Sequence, residues 1–215
     1  MVKMFDDEAL KPLVNIINDI IYNGLIPNSF KLSIITPIHK KGSKTNVENY
    51  RPISLLTTFS KIFERVIKLR LANYLEENML LPPTQFGFRK GFSTEHGITS
   101  LTQTILDYID TKKKNDWNIH VSEQSILSES KTMICGVPQG TVLSPLLYII
   151  YVLELSNLKL DGSIYSYADD TALVVTGETW QSVAKIAENS LSKIIEWFSN
   201  NNLSLNYNKT VYFTF

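Results

Sequence analysis

The sequence predicts an α+β fold, with helices mainly in the first half of the chain and β-hairpins in the second. Apolar residues recur at helical spacing several times before residue 110 and again after residue 180. Short β-like runs flank a tight turn at 167–170. The 215 residues are 44% hydrophobic and 11% aromatic, so the chain is able to form a packed core.

The first half contains the apolar patterns of three helices and one strand. The first helix is predicted to end before Gly24, because glycine commonly follows the last turn of a helix. A strand is predicted over 32–38. The second helix covers apolar positions 62–75, and a proline pair follows it. The third helix covers 98–109.

The second half alternates turns with shorter elements. Residues 115–135 are polar and β-like, and 136–140 form a turn bounded by glycines. A short apolar helix is predicted around 144–155, and an amphipathic helix over 183–198. Residues 203–215 alternate in polarity, which predicts a terminal strand or hairpin.

The charge pattern permits a nucleic-acid surface only locally. Formal net charge is zero, with 21 basic and 21 acidic residues. One basic cluster occupies a loop within 40–51, and the Arg89-Lys90 pair forms another. Each cluster alone also fits an ordinary solvated loop. One cysteine excludes an intrachain disulfide, and three scattered histidines predict no metal cluster.

Neither a secretory signal nor a membrane span is predicted. The stretch Met1–Asp7 lacks the apolar core of a signal peptide. The most apolar stretch, 142–155, includes serine, proline and glutamate and is too short to cross a bilayer. We therefore expect an intracellular protein, in the cytoplasm or the nucleus, without contact with a membrane.

The turn at Tyr167-Ala168-Asp169-Asp170 carries two adjacent carboxylates between two β-like runs. Acidic groups fixed on a rigid hairpin are suited to holding a divalent metal ion against phosphates, since Mg²⁺ prefers oxygen ligands. Taken alone, two aspartates at a hairpin tip are more often a solvated turn. The other motifs of the chain favour the metal site.

Five short motifs occur in order: Asn-Tyr-Arg-Pro-Ile-Ser-Leu-Leu at 49–56, Gln-Phe-Gly-Phe-Arg at 85–89, Gly-Val-Pro-Gln-Gly at 136–140, Tyr-Ala-Asp-Asp at 167–170, and Asn-Leu-Ser-Leu-Asn at 202–206 with Lys209-Thr210 after it. Together they strongly resemble the reverse transcriptase domain of non-LTR retrotransposons of the jockey and LINE type. The resemblance runs from about residue 31 to the end of the chain.

The resemblance implies a right-hand polymerase with fingers and palm, here with an incomplete palm and no thumb. Residues 1–135 would form the helical fingers, with their basic loops, and part of the palm. Residues 136–215 would form the palm with the Asp-Asp hairpin. The implied reaction is RNA-directed DNA synthesis, in which a primer 3′-hydroxyl attacks a deoxynucleoside triphosphate. RNA template, DNA primer and two Mg²⁺ ions would take part.

The same resemblance assigns the catalytic groups. Asp169 and Asp170 are the implied metal ligands, with Asp170 in the weaker role because neighbouring side chains on a strand point in opposite directions. Lys209 matches the lysine proposed to donate a proton to the leaving pyrophosphate. An exposed strand lysine without that role is an equally good reading of Lys209.

Nucleotide-binding residues are implied in two loops. Arg51 resembles the fingers arginine that meets the triphosphate, where a planar and permanently charged group suits phosphate. Lys40 and Lys41 would add positive charge in the same loop. Gln139 and Gly140 resemble the turn that lies against template and nucleotide, where glycine permits close backbone approach. A plain turn before a helix is the alternative for this segment.

Template contacts are implied for Phe86, Phe88 and Arg89, because aromatic faces combined with positive charge are typical of single-strand channels. The alternative is that both phenylalanines belong to the hydrophobic core.

One block of the family pattern is not found. A strand with a further metal-binding aspartate, followed by an aromatic residue beside the nucleotide sugar, usually precedes the Gly-Val-Pro-Gln-Gly motif. Here the third helix is followed almost directly by 117–131, which resembles the stretch just before Gly136. We infer an internal deletion near 114–119. Asp107 and Asp110 fit the helix, and Asp116 lies in a polar linker, so none fills the missing role.

The inferred deletion predicts a slow enzyme and an exposed sheet edge. Without the facing carboxylate, the rate should fall by orders of magnitude. Loss of a strand beside the Asp-Asp hairpin would leave an edge prone to pairing with other chains. Two alternatives to catalysis follow: a nucleic-acid-binding remnant, and an unstable product of a decayed element.

Overall fold

The structure, a computed structural model, describes residues 6–110, 114–118 and 136–213. The described residues up to Leu71, together with 136–144, form one compact unit. Those from 72 to 118, together with those from 145 onwards, form a second unit. Within the described residues, no helix is long and apolar enough to cross a membrane.

The first unit begins with helix α1, Asp7–Asn23, and continues with strands β1, Ser33–His39, and β2, Tyr50–Leu56. Helix α1 ends at Gly24, whose φ of 68° and hydrogen bond to the Ile20 carbonyl confirm the predicted glycine stop. Strand β1 confirms the predicted strand. Strand β2 pairs with it antiparallel but was not predicted.

Helix α2, Thr58–Glu77, starts in the first unit and runs into the second. Thr57 precedes it, and its hydroxyl accepts a hydrogen bond from the Ser60 amide at 3.2 Å. This contact caps one of the amides that a helix start leaves unpaired. The helix ends at Glu77, several residues before the proline pair.

The second unit contains helices α3, Thr94–Asp110, α4, Ser144–Tyr151, and α5, Trp180–Asn200. All three occur where apolar periodicity predicted them, although α4 ends earlier than expected and a 3-10 helix, Leu153–Asn157, follows it. Thr179 caps α5 in a reciprocal capping box with Ser182.

A three-stranded antiparallel sheet organises this unit, in the order β3-β5-β4. Its strands are β3, Lys114–Asn118, β4, Gly162–Tyr167, and β5, Asp170–Gly177. Alternation along β5 sends side chains to both faces. Ala172 and Val174 pack with Ile105 of α3, whereas Leu173 and Val175 pack with α5. The hairpin is therefore fixed between two helices.

Strand β3 agrees with one sequence expectation and corrects another. Residues 115–118 belong to a stretch predicted to be β-like, whereas Asp116 was also placed in a polar linker. The linker is wrong, because β3 pairs with β5 from Lys114↔Gly177 to Asn118↔Leu173, and among the described strands β3 now forms the edge of the sheet. Ladder hydrogen bonds use main-chain groups, so a polar segment is able to complete a sheet without an apolar pattern.

The C-terminal segment also differs from its prediction. In place of a strand or hairpin over 203–213, the structure has a 3-10 helix, Tyr207–Lys209, and an isolated bridge residue at Val211. Val211, Tyr212 and Phe213 are all exposed. Alternating polarity alone therefore did not produce a strand over the described residues 203–213.

The loop between α2 and α3 is held by Arg89. Its guanidinium pairs with both carboxylate oxygens of Glu76, at 2.9 and 2.7 Å, and donates to the carbonyls of Pro82 and Gln85. It also lies 4.6 Å from the centre of the Phe92 ring. The Arg89 side chain is only 9% exposed. Arg89 therefore ties the loop to the end of α2.

We expect Glu76→Ala to lower the free energy of unfolding by about 2–3 kcal/mol, because it leaves the nearly buried Arg89 without its carboxylate partner. Urea denaturation measures the change. Glu77→Ala, an exposed carboxylate on the same helix, is the matched control and should be nearly neutral. Equal losses in the two variants would contradict the assigned role of the ion pair.

The same pair should make stability depend on pH. Hydrogen bonding from Arg89 holds the pKa of Glu76 below its ordinary value of 4.5. A lowered folded-state pKa contributes stability above the unfolded pKa and loses it as the pH falls through the folded pKa. The difference between the parent chain and Glu76→Gln should therefore be constant near pH 7 and shrink below about pH 4.5. Unfolding measured between pH 3 and 7 tests this, and a pH-independent difference would contradict it.

Candidate active site

The two carboxylates lie at the tip of the β4–β5 hairpin. The last ladder pair is Tyr167↔Asp170, so Ala168 and Asp169 form a two-residue turn. Such turns favour residues with positive φ, usually glycine. Ala168 adopts a φ of 59° while only 7% exposed, which is a strained conformation for a residue with a Cβ.

The environments of the two aspartates differ. Asp169 is exposed at the turn, whereas Asp170 is half-buried, and its Oδ1 is buried without a hydrogen-bond partner. Burial raises the pKa of Asp170, and the charge of Asp169 raises it further, while Lys209 acts in the opposite direction. Negative charge at the turn is therefore only partly compensated.

The charges of Asp169 and Asp170 also affect the pKa of Tyr148 in α4. Burial first, and then Asp169 and Asp170, raise the pKa of its phenol to about 12. The hydroxyl therefore stays protonated at neutral pH and remains able to donate a hydrogen bond near the carboxylates. Sequence analysis did not single out Tyr148, because it is one apolar-compatible position within the α4 pattern.

On the α3 side, Asp170 borders a largely apolar cleft of about 240 Å³. Apolar walls disfavour the charged form of a carboxyl group, which accounts for the direction of the pKa shift at Asp170. The side chains around it include Phe86, Ile98, Leu101, Tyr165 and Ala172.

The carboxylates at the turn provide some, but not all, of the ligands that a divalent cation needs. Two adjacent carboxylates, one with an unpartnered buried oxygen, are suitable oxygen ligands for Mg²⁺. However, no three acidic, histidine or cysteine side chains come together among the residues that the structure describes. The backbone of Asp116 pairs opposite Val175, five ladder positions from Asp170, so β3 does not bring this aspartate to the turn.

The Gln85-Phe86-Gly87 segment braces the hairpin from the side of β4. The Phe86 amide donates to the Ser166 carbonyl, and the Ser166 amide donates to the Thr84 carbonyl, both at 2.9 Å. The side-chain Oε1 of Gln85 accepts from the amides of Gly87 and Ala168. Sequence analysis used this motif only for the family resemblance and assigned no role to Gln85 or Gly87.

The predicted template residues separate into two groups. Phe86 is 6% exposed and belongs to the core, and Arg89 is engaged with Glu76 as described above. These contacts give Phe86 and Arg89 structural roles in the loop, and template contact by either side chain stays a prediction. Phe88, at 51% exposure, retains an accessible aromatic face.

The predicted nucleotide-binding residues lie in the first unit. Arg51 is exposed on β2, and Lys40 and Lys41 follow β1 directly. The Gln139-Gly140 turn is tied to β2, because the Ser54 amide donates to the Gln139 carbonyl at 2.8 Å.

Two further features fix the same turn. A Cβ on Gly140, whose φ is 90°, would lie 2.8 Å from the Cγ2 of Ile53. Glu64 of α2 accepts hydrogen bonds from the amides of Val142 and Leu143 at 2.8 and 3.2 Å. Close packing therefore requires glycine at position 140, and Glu64 is a supporting residue that the sequence did not reveal.

Sequence similarity to known proteins covers most of the chain. The sequence profile of the reverse transcriptase (RNA-dependent DNA polymerase) family matches residues 38–121 and 121–214. The probable RNA-directed DNA polymerase from transposon BS of Drosophila melanogaster is 30% identical over 245 residues, which take in 89% of this chain and 27% of that protein. The chain therefore belongs to the reverse transcriptase family, as its motifs predicted.

A second relative is the RNA-directed DNA polymerase from mobile element jockey of Drosophila melanogaster. It is 27% identical over 262 residues, covering 100% of this chain and 29% of that protein. The chain thus spans less than a third of the length of these relatives. Because 262 aligned positions accommodate only 215 residues here, at least 47 positions of jockey have no counterpart in this chain.

We expect Gly87→Ala to disrupt the braced turn. The added Cβ would lie 2.1 Å from the backbone nitrogen of Ala168, so the two segments must separate, at a cost of about 1–3 kcal/mol. Gly97→Ala is the control. Its Cβ would meet only the Phe86 ring, at 3.4 Å or more, and alanine within α3 should be neutral or stabilising by about 0.5–1 kcal/mol. Thermal unfolding of both variants tests this, and an unchanged melting temperature for Gly87→Ala would contradict the close approach.

Proposed function

We propose that this chain is the fingers and palm part of an RNA-directed DNA polymerase from a jockey-type mobile element. The carrying observation is the hairpin turn with Asp169 and Asp170, where a buried carboxylate oxygen has no partner. The substrates would be an RNA template, a DNA primer and deoxynucleoside triphosphates. Membership in the reverse transcriptase family supports this reaction.

The residues of the hairpin would hold the reacting groups. Asp169 and Asp170 would bind Mg²⁺ at the turn. Bound Mg²⁺ supplies charge neutralisation on the phosphates and a more acidic primer 3′-hydroxyl. Lys209, whose positive charge lowers the pKa of Asp170, would donate a proton to the leaving pyrophosphate. Each role places a charged side chain where phosphate charge develops.

Residues of the first unit would bind the incoming nucleotide. Arg51, Lys40 and Lys41 would neutralise the triphosphate, with arginine offering a planar pair of donors. The backbone of the Gln139-Gly140 turn would lie against the base pair. The turn is held in place by the hydrogen bond from the Ser54 amide, and a Cβ at Gly140 would displace Ile53. Phe88 would stack on a template base.

Catalysis by this chain would be slow. A third carboxylate is missing from the described site, and at least 47 positions of the jockey polymerase have no counterpart. We place the main gap near residues 114–119, where the sequence passes from the end of α3 to the stretch preceding Gly136. Nucleic-acid binding without catalysis is the alternative function, and the experiments below separate it from polymerisation.

Primer extension on an RNA template with Mg²⁺ tests the first function. We expect weak extension that falls to background in Asp169→Asn, because the exposed ligand loses its charge. Asp161→Asn, an exposed aspartate just before β4, should leave extension unchanged. Extension that persists in Asp169→Asn would contradict the site assignment. No extension by the parent chain would exclude catalysis and leave binding as the function.

Salt dependence of binding to single-stranded RNA tests the second function. Neutralising phosphates releases counterions, so affinity should fall steeply with salt. We expect Lys41→Gln to make the slope of log affinity against log salt shallower by about 0.7, the value for one phosphate contact. Lys185→Gln on the exposed side of α5 is the control and should keep the parent slope. A flat salt dependence of the parent chain would contradict nucleic-acid binding.

A further inference from the structure

We propose that Gln85 is a positioning residue for the metal-binding turn: its side-chain carbonyl holds the backbone of Ala168 and thereby sets the backbone position from which the Asp169 carboxylate extends. This inference rests on the proposed function in one respect, since it takes Asp169 as a metal ligand. The brace itself is a separate structural claim with its own test.

The hydrogen bonds of Gln85 define the brace. Its Oε1 accepts from the Gly87 amide at 2.9 Å and from the Ala168 amide at 3.2 Å. Both partners are N–H donors, so the atom between them has to be the carbonyl oxygen of the amide group. Gln85 is 4% exposed, and Gly87 and Ala168 are also buried, so water is poorly placed to replace this acceptor.

The turn needs an external support because it is strained. Ala168 has a φ of 59°, and such a conformation in a residue other than glycine persists when the surroundings over-determine it. Gly87 packs so closely against the turn that a Cβ would lie 2.1 Å from the Ala168 nitrogen. The bond from Gln85 thus joins residues 83 positions apart in sequence, at the centre of the turn.

Asp169 depends on this support more than Asp170 does. Asp170 is the first residue of β5 and is fixed by its ladder pairing with Tyr167. Asp169 lies within the turn and is exposed. The positions of its Cα and Cβ atoms therefore follow from the backbone of Ala168, which Gln85 holds.

The first measurement is amide hydrogen exchange by NMR in the parent chain and in Gln85→Met, which keeps the side-chain volume and removes the acceptor. We expect the Ala168 and Gly87 amides to lose protection, while amides in the middle of α5 keep theirs. Gln103→Met, at an exposed position of α3, is the control and should change neither. Unchanged protection at Ala168 in Gln85→Met would overturn the brace.

The second measurement is Mn²⁺ affinity by electron paramagnetic resonance. Loss of a group that orients a metal ligand typically weakens metal binding by about 10–100-fold, and we expect a loss in this range for Gln85→Met. Adding Ala168→Gly should recover part of the affinity, because glycine adopts a positive φ without strain. A merely structural role for Gln85 predicts no such rescue.

The outcomes separate the brace from the proposed function. If the parent chain and Asp169→Asn bind Mn²⁺ equally, the metal site is wrong, and the brace is then decided by amide exchange alone. If Gln85→Met loses amide protection but keeps the parent affinity for Mn²⁺, Gln85 does not position Asp169 and the inference is overturned.

Discussion

The geometry of the candidate site depends on how the hairpin turn is held from outside. A two-residue turn with alanine at positive φ is strained by itself, and the chain supports it with the segment that precedes α3. Gln85 supplies the central acceptor, Gly87 permits the close approach, and Arg89 ties the segment to α2. With Phe86 buried in the core, the structure accounts for four of the five positions of the Gln-Phe-Gly-Phe-Arg motif. A substitution at Gln85, Gly87 or Arg89 is expected to shift the backbone of the turn and thereby the positions of the carboxylates.

The negative charge at the turn favours a bound cation, but the described residues do not form a complete metal site. Burial and the charge of Asp169 both disfavour the ionised form of Asp170, and Lys209 opposes them only in part. A divalent cation would compensate this charge and occupy the unpartnered oxygen of Asp170. The sheet position beside β5 is occupied by β3, which brings no carboxylate to the turn. The chain thus has the supported turn and the two proposed ligands, Asp169 and Asp170, while the described residues show no third acidic, histidine or cysteine side chain beside them.

Secondary-structure elements were predicted correctly where their apolar side chains recur at helical spacing or alternate along a strand. Helices α1, α2, α3 and α5 and the Asp-Asp hairpin followed from apolar periodicity and alternation, since their burial depends on those side chains. Strand β3 was predicted only as part of a β-like stretch without defined ends, because main-chain pairing rather than an apolar pattern holds it. The strand predicted near the C-terminus was wrong over 203–213, where the structure has a 3-10 helix instead. For the site, Asp169 and Lys209 were proposed from motifs, and their roles stay predictions. The roles of Gln85 and Glu64 required the structure, because one hydrogen bond between distant residues leaves no local pattern.

The most direct test of this account is the position of Mn²⁺ in crystals of the chain, located from its anomalous scattering. The account predicts a peak between the carboxylates of Asp169 and Asp170, with the remaining ligand positions open to water. That result would show that the braced turn is a metal site even without a third carboxylate. Ordered Mn²⁺ elsewhere on the chain, with none at the turn, would contradict the central claim.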